Sequence, residues 1–533
     1  TPLQLSDFTF VENLGEVTGY ATAQLIPSLT MILGIAIAAV LTETLRRKET
    51  WRPSRRAGLL VSAAGVALLL AALLPGAPLQ KAALALDQDS ADQSARNQQA
   101  GVVLGIYTAW AQRVEVIQAE GNAQAAQLAD TFRKGALAPG AAASEGTPDI
   151  IFITSESFFD VTRLPGITFE EDPLPNFHRL AETSTNGWCL SNNYGNGTGN
   201  VEMEMFTGLS SSLLREGDTL TTLDEGVYAQ LPTTVRQLKQ AGYATEFVHA
   251  HTNELYNRVT THPAIGFDTV DFLEDFLTQG EACGPYLYDL SFAQELIARY
   301  DTRDPTRPLF LYGLSMENHQ PFDPEKFNYE CQIGVTSESL GEEDMAIVRV
   351  MLEGITRADQ ALGDLTDALR ESEEPTIVVF FGDHRPNLFM TDGDTVYTKL
   401  GLCPDNDTVG WTPEEISDLY STDYLIWAND AALLQGQAGT RRDSSITAIG
   451  PQLLELTGQP VTRYWALLEK VSQVCLTNTE LYFVDGTGTP SAGVEEAALS
   501  DEARELLQLR EDVLYDAMYG QQYITAEMNE PVQ

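Results

Sequence analysis

Two stretches near the amino end carry no charge at all, Val17 to Thr42 and Ala57 to Gln80. Each reaches the ~20 residues a helix needs to cross the hydrocarbon layer. The pattern therefore predicts two transmembrane helices, at about residues 22–42 and 57–76, in a membrane region covering residues 1–80. From Lys81 to Thr147 large apolar residues are sparse, except that Val103, Ile106, Tyr107, Trp110, Val114 and Ile117 follow helical spacing. That spacing predicts an amphipathic helix inside a linker over residues 81–147, closed by the flexible-looking GALAPGAAASEG of residues 135–146.

Beyond residue 148 the pattern changes to short apolar runs alternating with helical ones. DIIFITSES (149–157), ATEFVHAHT (244–252), PLFLYGLSMENH (308–319), TIVVFFGDH (376–384) and TDYLIWAND (422–430) contain predicted buried strands. Helices are predicted over 231–242, 345–369 and 445–458, and a charged amphipathic helix over 494–519. Strands alternating with helices predict an α/β domain over 148–533, its sheet mostly parallel with helices on both faces.

The net charge of −44 excludes a nucleic-acid partner, since a phosphate backbone is repelled by such a surface. Six of the 32 basic residues fall in RRKETWRPSRR, Arg46 to Arg56, between the two apolar runs. By the positive-inside rule that loop is cytoplasmic, which places the later residues on the outer face of the membrane. A cleaved signal peptide has one short apolar region and fits poorly. Five cysteines without C-x-x-C spacing argue against a zinc ribbon or redox motif.

Ligands of open α/β sheets bind beyond the carboxyl ends of the strands. Three such ends carry Ser155-Glu156-Ser157, Glu317-Asn318-His319 and Gly382-Asp383-His384. Glu156, Asp383 and His384 form a mixed oxygen and nitrogen donor set suited to one Mn²⁺, Mg²⁺ or Zn²⁺ ion. Thr198 lies in NNYGNGTGN (192–200), where glycines 195, 197 and 199 suggest a backbone that bends sharply or approaches something closely. Its hydroxyl is a candidate nucleophile, because metal coordination activates such a group. His249 and His251 would share one face if a strand runs through both, and are second-tier candidates. Neither a G-x-S-x-G elbow nor a phosphate-binding P-loop occurs.

These motifs stand in a recognisable order: ESFFD from Glu156, the Thr198 turn with Glu202 four residues on, Asn257-Arg258 followed by GFD at 266–268, ENHQPF from Glu317 and GDHRP from Gly382. Together they resemble the lipoteichoic acid synthase and phosphoglycerol transferase branch of the alkaline phosphatase and sulfatase superfamily, over about residues 148–475. The resemblance implies an alkaline-phosphatase/sulfatase-like sheet preceded by transmembrane helices. It implies Thr198 as nucleophile, Glu156, Thr198, Asp383 and His384 as ligands of one divalent metal, Mn²⁺ above all, and Arg258 and His319 as holders of the phosphoglycerol group. Tyr256 stands where the synthases usually have tryptophan and keeps an aromatic wall.

The implied activity moves glycerophosphate from phosphatidylglycerol to a glycolipid or polyglycerophosphate acceptor through a phospho-threonine. The implied location is a bacterial cell membrane, multi-pass, with the catalytic domain outside. A phosphoethanolamine transferase or a phosphodiesterase of the same superfamily uses similar parts. Sulfatase activity does not fit, because Cys189 is followed by LSNNY rather than a C-x-P-x-R sequence. From another class, a non-enzymatic surface protein binding glycerophosphate polymer would need no intact nucleophile.

Overall fold

The computed structural model describes residues 128–133 and 147–532, apart from 216–217, 254, 328–332, 391–392, 459–460 and 480. The membrane helices expected at 22–42 and 57–76 and the amphipathic helix of 103–117 lie outside the described residues. Among the described residues no helix is long and apolar enough to cross a membrane. One compact unit comprises Ala123–Leu213 with Leu223–Gln533. Of the other unit the described residues lie within Leu214–Thr222 and include a 3-10 turn at Leu220–Thr222.

In chain order the larger unit's main elements are β1 (Asp149–Ser155), β2 (Thr185–Leu190), α1 (Thr198–Thr207), α2 (Thr234–Gln240), β3 (Ala244–His249), α3 (Arg258–Ile265), β4 (Thr269–Asp271), α4 (Asp289–Thr302), β5 (Leu309–Leu314), α5 (Glu342–Arg370), β6 (Thr376–Gly382), β7 (Ser421–Ala428), β8 (Ser444–Ser445), α6 (Ile446–Thr457) and α7 (Asp501–Met518). Eight strands form one sheet in the order β8-β2-β7-β6-β1-β5-β3-β4. Strand β7 runs against both neighbours, and every other pairing is parallel.

The runs DIIFITS and TIVVFFG are buried at every position, as strands covered on both faces must be. Alternate side chains reach opposite layers. Ile151, Ile153, Val378 and Phe380 join the core formed with Phe292 and Leu296 of α4 and Ile355, Leu362 and Leu365 of α5. On the other side Phe152 and Phe247 stack on Tyr312, Phe381 meets Phe152 edge-on, and Phe206 of α1 meets Tyr312 at 4.7 Å between ring centroids.

Long α5 keeps an apolar stripe through Val348, Met351, Leu352, Ile355, Leu362 and Leu365, and opens on Glu342, Glu343 and Asp344, acids that favour a helix amino end. Cys189, Cys403 and Cys475 are buried free thiols. Because β1 and β6 are adjacent and parallel, with Ser155 opposite Gly382, the residues that follow them emerge side by side.

Candidate active site

Glu156 and Asp383-His384 are those residues, Glu156 and Asp383 one step past their strands and His384 two. Suitable ligand atoms of Glu156, Asp383 and His384 all lie within 4.8 Å of one another, and all three residues are buried. The Thr198 hydroxyl donates to Asp383 Oδ2 at 2.7 Å and lies 3.3 Å from Glu156 Oε2 and 3.5 Å from His384 Nε2. Four residues predicted from three separate segments thus meet around one point.

Ser157, which the sequence reading left without a role, orders this cluster. Its backbone N–H donates to Asp383 Oδ1 at 2.8 Å, its hydroxyl donates to Glu156 Oε1 at 2.8 Å, and its φ of 57° turns the chain sharply enough to do both. Nδ1 of His384 lies 3.1 Å from the carbonyl of Arg385. With the Nδ1 proton on that carbonyl, the Nε2 lone pair faces the carboxylates, the tautomer a metal-binding histidine needs.

Burial, then the charge of Glu156, raises the Asp383 carboxyl to about 6, although His384 and hydrogen bonds from Ser157 and Thr198 act the other way. Two buried carboxylates this close repel one another, and a dication offsets both. The donor set of two carboxylates, one imidazole and one hydroxyl therefore fits a divalent metal, and leaves its identity open.

Two of the glycines around Thr198, Gly195 and Gly197, leave room for neighbouring side chains. Gly195 has φ of 72°, and a Cβ there would lie 2.5 Å from Cβ of Asn387; Gly197 has φ of 99°, and a Cβ there would lie 2.4 Å from Oδ1 of Asn193. Gly195 also donates its N–H to the carbonyl of Arg385 at 2.9 Å, tying the turn to the GDHRP loop. Gly197 is the cap residue of α1, so Thr198 stands as its first residue. Arg385 is fully buried and structural, binding the carbonyl of Ser421 and the carboxylate of Asp418.

Arg258 opens α3 and is buried. Its Nε donates to Glu202 Oε2 at 2.9 Å and its Nη2 to Glu202 Oε1, while Nε2 of His262 binds Glu202 Oε2 at 3.1 Å. In the sequence, Glu202 carries no evident role and His262 no motif; the only signal for either is its i+4 spacing, from Thr198 and from Arg258. Tyr256 is half-buried, and the Arg258 guanidinium sits 5.0 Å from its ring centre. Its hydroxyl is pushed up to about 12, chiefly by burial, with Glu156, Glu202 and Asp383 adding to the shift and Arg258 opposing it. Tyr256 therefore lies within electrostatic reach of both the Arg258 group and the carboxylates of Glu156 and Asp383.

His319 is half-buried, its Nδ1 2.6 Å from the carbonyl of Gln320 and 3.1 Å from the Tyr286 hydroxyl. The Gln320 side chain donates to the carbonyl of Gly195 at 3.3 Å, which brings this segment to the Thr198 turn. Glu317 stands apart from the cluster: it accepts from the N–H of Asp289 at 2.6 Å and pairs with Arg357 at 2.6 Å. The condition set for His249 and His251 is not met, because β3 ends at His249 and His251 lies beyond it. Their rings are 6.0 Å apart, and His249 Nδ1 is 3.4 Å from the carbonyl of Leu314.

The Sulfatase family model matches residues 148–459. Among curated proteins, the chain is 27% identical over 358 residues to a Rhizobium meliloti (strain 1021) protein named for cyclic beta-1,2-glucan modification, covering 66% of this chain and 52% of that protein. It is 28% identical over 245 residues to the capsular polysaccharide biosynthesis protein RkpI of the same organism, covering 46% and 42%. The chain thus spans about half the length of the curated relatives it matches. Among solved structures, the Streptococcus pyogenes phosphoglycerol transferase GacH in complex with sn-glycerol-1-phosphate has a TM-score of 0.59 and 21% identity, covering 78% of this chain and 99% of that one. A protein of the alkaline phosphatase superfamily from Vibrio parahaemolyticus has a TM-score of 0.50 and 16% identity, covering 77% and 98%. At these identities the likeness to solved structures is one of fold.

Proposed function

The chain belongs to the Sulfatase family, and from that premise we propose that it is a membrane-anchored phosphoglycerol transferase that takes glycerophosphate from phosphatidylglycerol. The observation that carries the proposal is the Thr198 hydroxyl, 2.7 Å from Asp383 Oδ2 and flanked by Glu156 and His384. A non-enzymatic binding protein would have no use for a nucleophile held in this way. The fold shared with a phosphoglycerol transferase agrees with the reading, and the two apolar runs of residues 17–80 suit an enzyme whose donor is a lipid.

In this reading Glu156, Thr198, Asp383 and His384 would hold a divalent ion, Mn²⁺ by preference, which lowers the pKa of a bound hydroxyl and offsets charge on phosphoryl oxygens. The Thr198 oxygen attacks phosphorus, the bond to the diacylglycerol oxygen breaks, and that oxygen leaves with a proton as diacylglycerol. Glycerophosphate remains on Thr198 until an acceptor hydroxyl displaces it and the threonine regains its proton. Arg258 meets the non-bridging oxygens and Tyr256 walls the head group. In this reading His319 exchanges the proton of the leaving or entering oxygen. The acceptor is a hydroxyl of a glycan, glycolipid or polyglycerophosphate; the glycan is favoured by two curated relatives named for glucan modification and capsular polysaccharide biosynthesis.

The test is diacylglycerol release from fluorescent phosphatidylglycerol by the membrane-bound chain with Mn²⁺. The wild type releases it, and Thr198→Ala loses about three orders of magnitude or more, as the removal of a covalent nucleophile does. Equal release by both proteins would remove Thr198 from the chemistry. Silence in both would redirect the assignment to another head group.

A further inference from the structure

We propose that Glu202 is a positioning residue: through helix α1 it sets the distance and direction between the Thr198 nucleophile and the guanidinium that meets the phosphate. The inference rests on the assignment of Thr198 and Arg258 above. Thr198 and Glu202 are four residues apart at the start of α1, so they lie on one face, about 6 Å apart along the axis. Arg258 and His262 have the same spacing on α3, and both converge on the Glu202 carboxylate. The two helices are thus joined through one acidic group, one turn from the nucleophile.

The local chemistry argues that this trio is not there for stability. A cation at the first residue of a helix faces the positive end of the macrodipole, which disfavours it. The chain reaches Arg258 through Tyr256 and Asn257, both left-handed at φ of 62° and 53° without being glycine, a strained approach. Replacing a buried ion pair by apolar residues of similar volume is often neutral or stabilising. What such a pair supplies is direction. The guanidinium fork is planar, and Glu202 takes Nε and Nη2, so a phosphate oxygen would be met by Nη1.

Further contacts hold Glu202 in turn. A carboxylate only accepts hydrogen bonds, so His262 presents Nε2–H to Oε2. The His262 ring is walled by Phe247 at 4.2 Å, Phe206 at 5.8 Å and Phe267 at 5.9 Å between centroids. Burial alone would raise the Glu202 carboxyl, but Arg258 and His262 more than offset it and lower it to about 2, so it stays ionised and the grip stays closed.

The experiment measures, on the Mn²⁺-loaded full chain, the affinity for sn-glycerol-1-phosphate by calorimetry, alongside Mn²⁺ affinity and melting temperature. Glu202→Gln keeps the shape but gives up one charged fork, and weakens sn-glycerol-1-phosphate about 10- to 100-fold, the scale of a lost orienting partner, a larger loss than that in Mn²⁺ affinity. Arg258→Ala weakens it to a similar degree, and the double variant loses no more than Arg258→Ala alone. His262→Gln, which leaves the ion pair in place, gives a smaller loss in the same direction and serves as the readout if Glu202→Gln does not fold. Wild-type affinity in whichever of these two variants folds, or a Glu202→Gln loss that adds fully to that of Arg258→Ala, overturns the proposal. An Arg258→Ala protein that binds sn-glycerol-1-phosphate like the wild type would instead overturn the underlying assignment of Arg258.

Discussion

His178 illustrates how a single side chain couples stability to pH. It is bracketed by Asp172 at 2.9 Å and Asp160 at 3.3 Å, and the hydrogen bond to Asp160, then that to Asp172, raises it to about 9 against the opposing effect of burial. A histidine charged more readily folded than unfolded stabilises fully below its unfolded pKa of about 6.5, and that contribution disappears as pH rises through about 9. The wild type is therefore expected to lose on the order of 1 kcal/mol between neutral and alkaline pH that His178→Gln does not lose, a small amount because the ring is partly solvent-exposed. Denaturant titrations of both proteins across that range check it; parallel curves would mean the two acids do not hold the proton. At the same scale, Glu156, Asp383 and His384 stood out as candidate ligands in the sequence because each follows an apolar strand, whereas Thr198 stood out through its glycine-flanked turn. Ser157 was not, since nothing in its identity reveals a left-handed backbone.

Among the elements, α1 carries the most consequences. Its first residue is Thr198 and its cap is Gly197, whose positive φ lets the chain double back past Asn193. Gly197→Ala places a methyl group 2.4 Å from Asn193 Oδ1 in a backbone region L residues avoid. The expected cost is about 1–3 kcal/mol of stability, with a loss of turnover as Thr198 shifts. Adding Asn193→Ala relieves the clash but not the backbone strain, so recovery should be partial; full recovery in the double variant would show that the φ carries no cost. Strand β2, TNGWCL, was not predicted, because half its positions are polar or glycine. Pairing with β7 and β8 makes it a strand, and Gly187 lets the carbonyl of Arg442 approach to where a Cβ would lie 2.4 Å away.

For the whole molecule, the cluster at the sheet edge joins the end of β1, the end of β6 and the start of α1, so a bound dication stabilises the fold itself. Saturating Mn²⁺ at a hundred times its Kd should add about 2.7 kcal/mol, and a chelator should remove it. Asp383→Asn abolishes that gain yet stabilises the metal-free chain, because it removes one of two buried carboxylates that repel each other. A thermal melt of both proteins with and without Mn²⁺ reads both effects, and an undiminished Mn²⁺ shift in the variant would remove Asp383 from the ligand set.

The sequence alone determined the α/β class, the five strands it predicted and the residues that follow them, because continuous apolar runs of strand length have few other ways to be buried. It also determined a strongly negative overall charge, which argues against a nucleic-acid partner. Only the tertiary structure decided which strand ends are neighbours, that Glu317 pairs with Arg357 away from the cluster, that the glycines accommodate Asn193 and Asn387, and that Glu202 grips Arg258. Those outcomes depend on strand order and on side-chain directions between segments tens to hundreds of residues apart, and local periodicity carries no record of either.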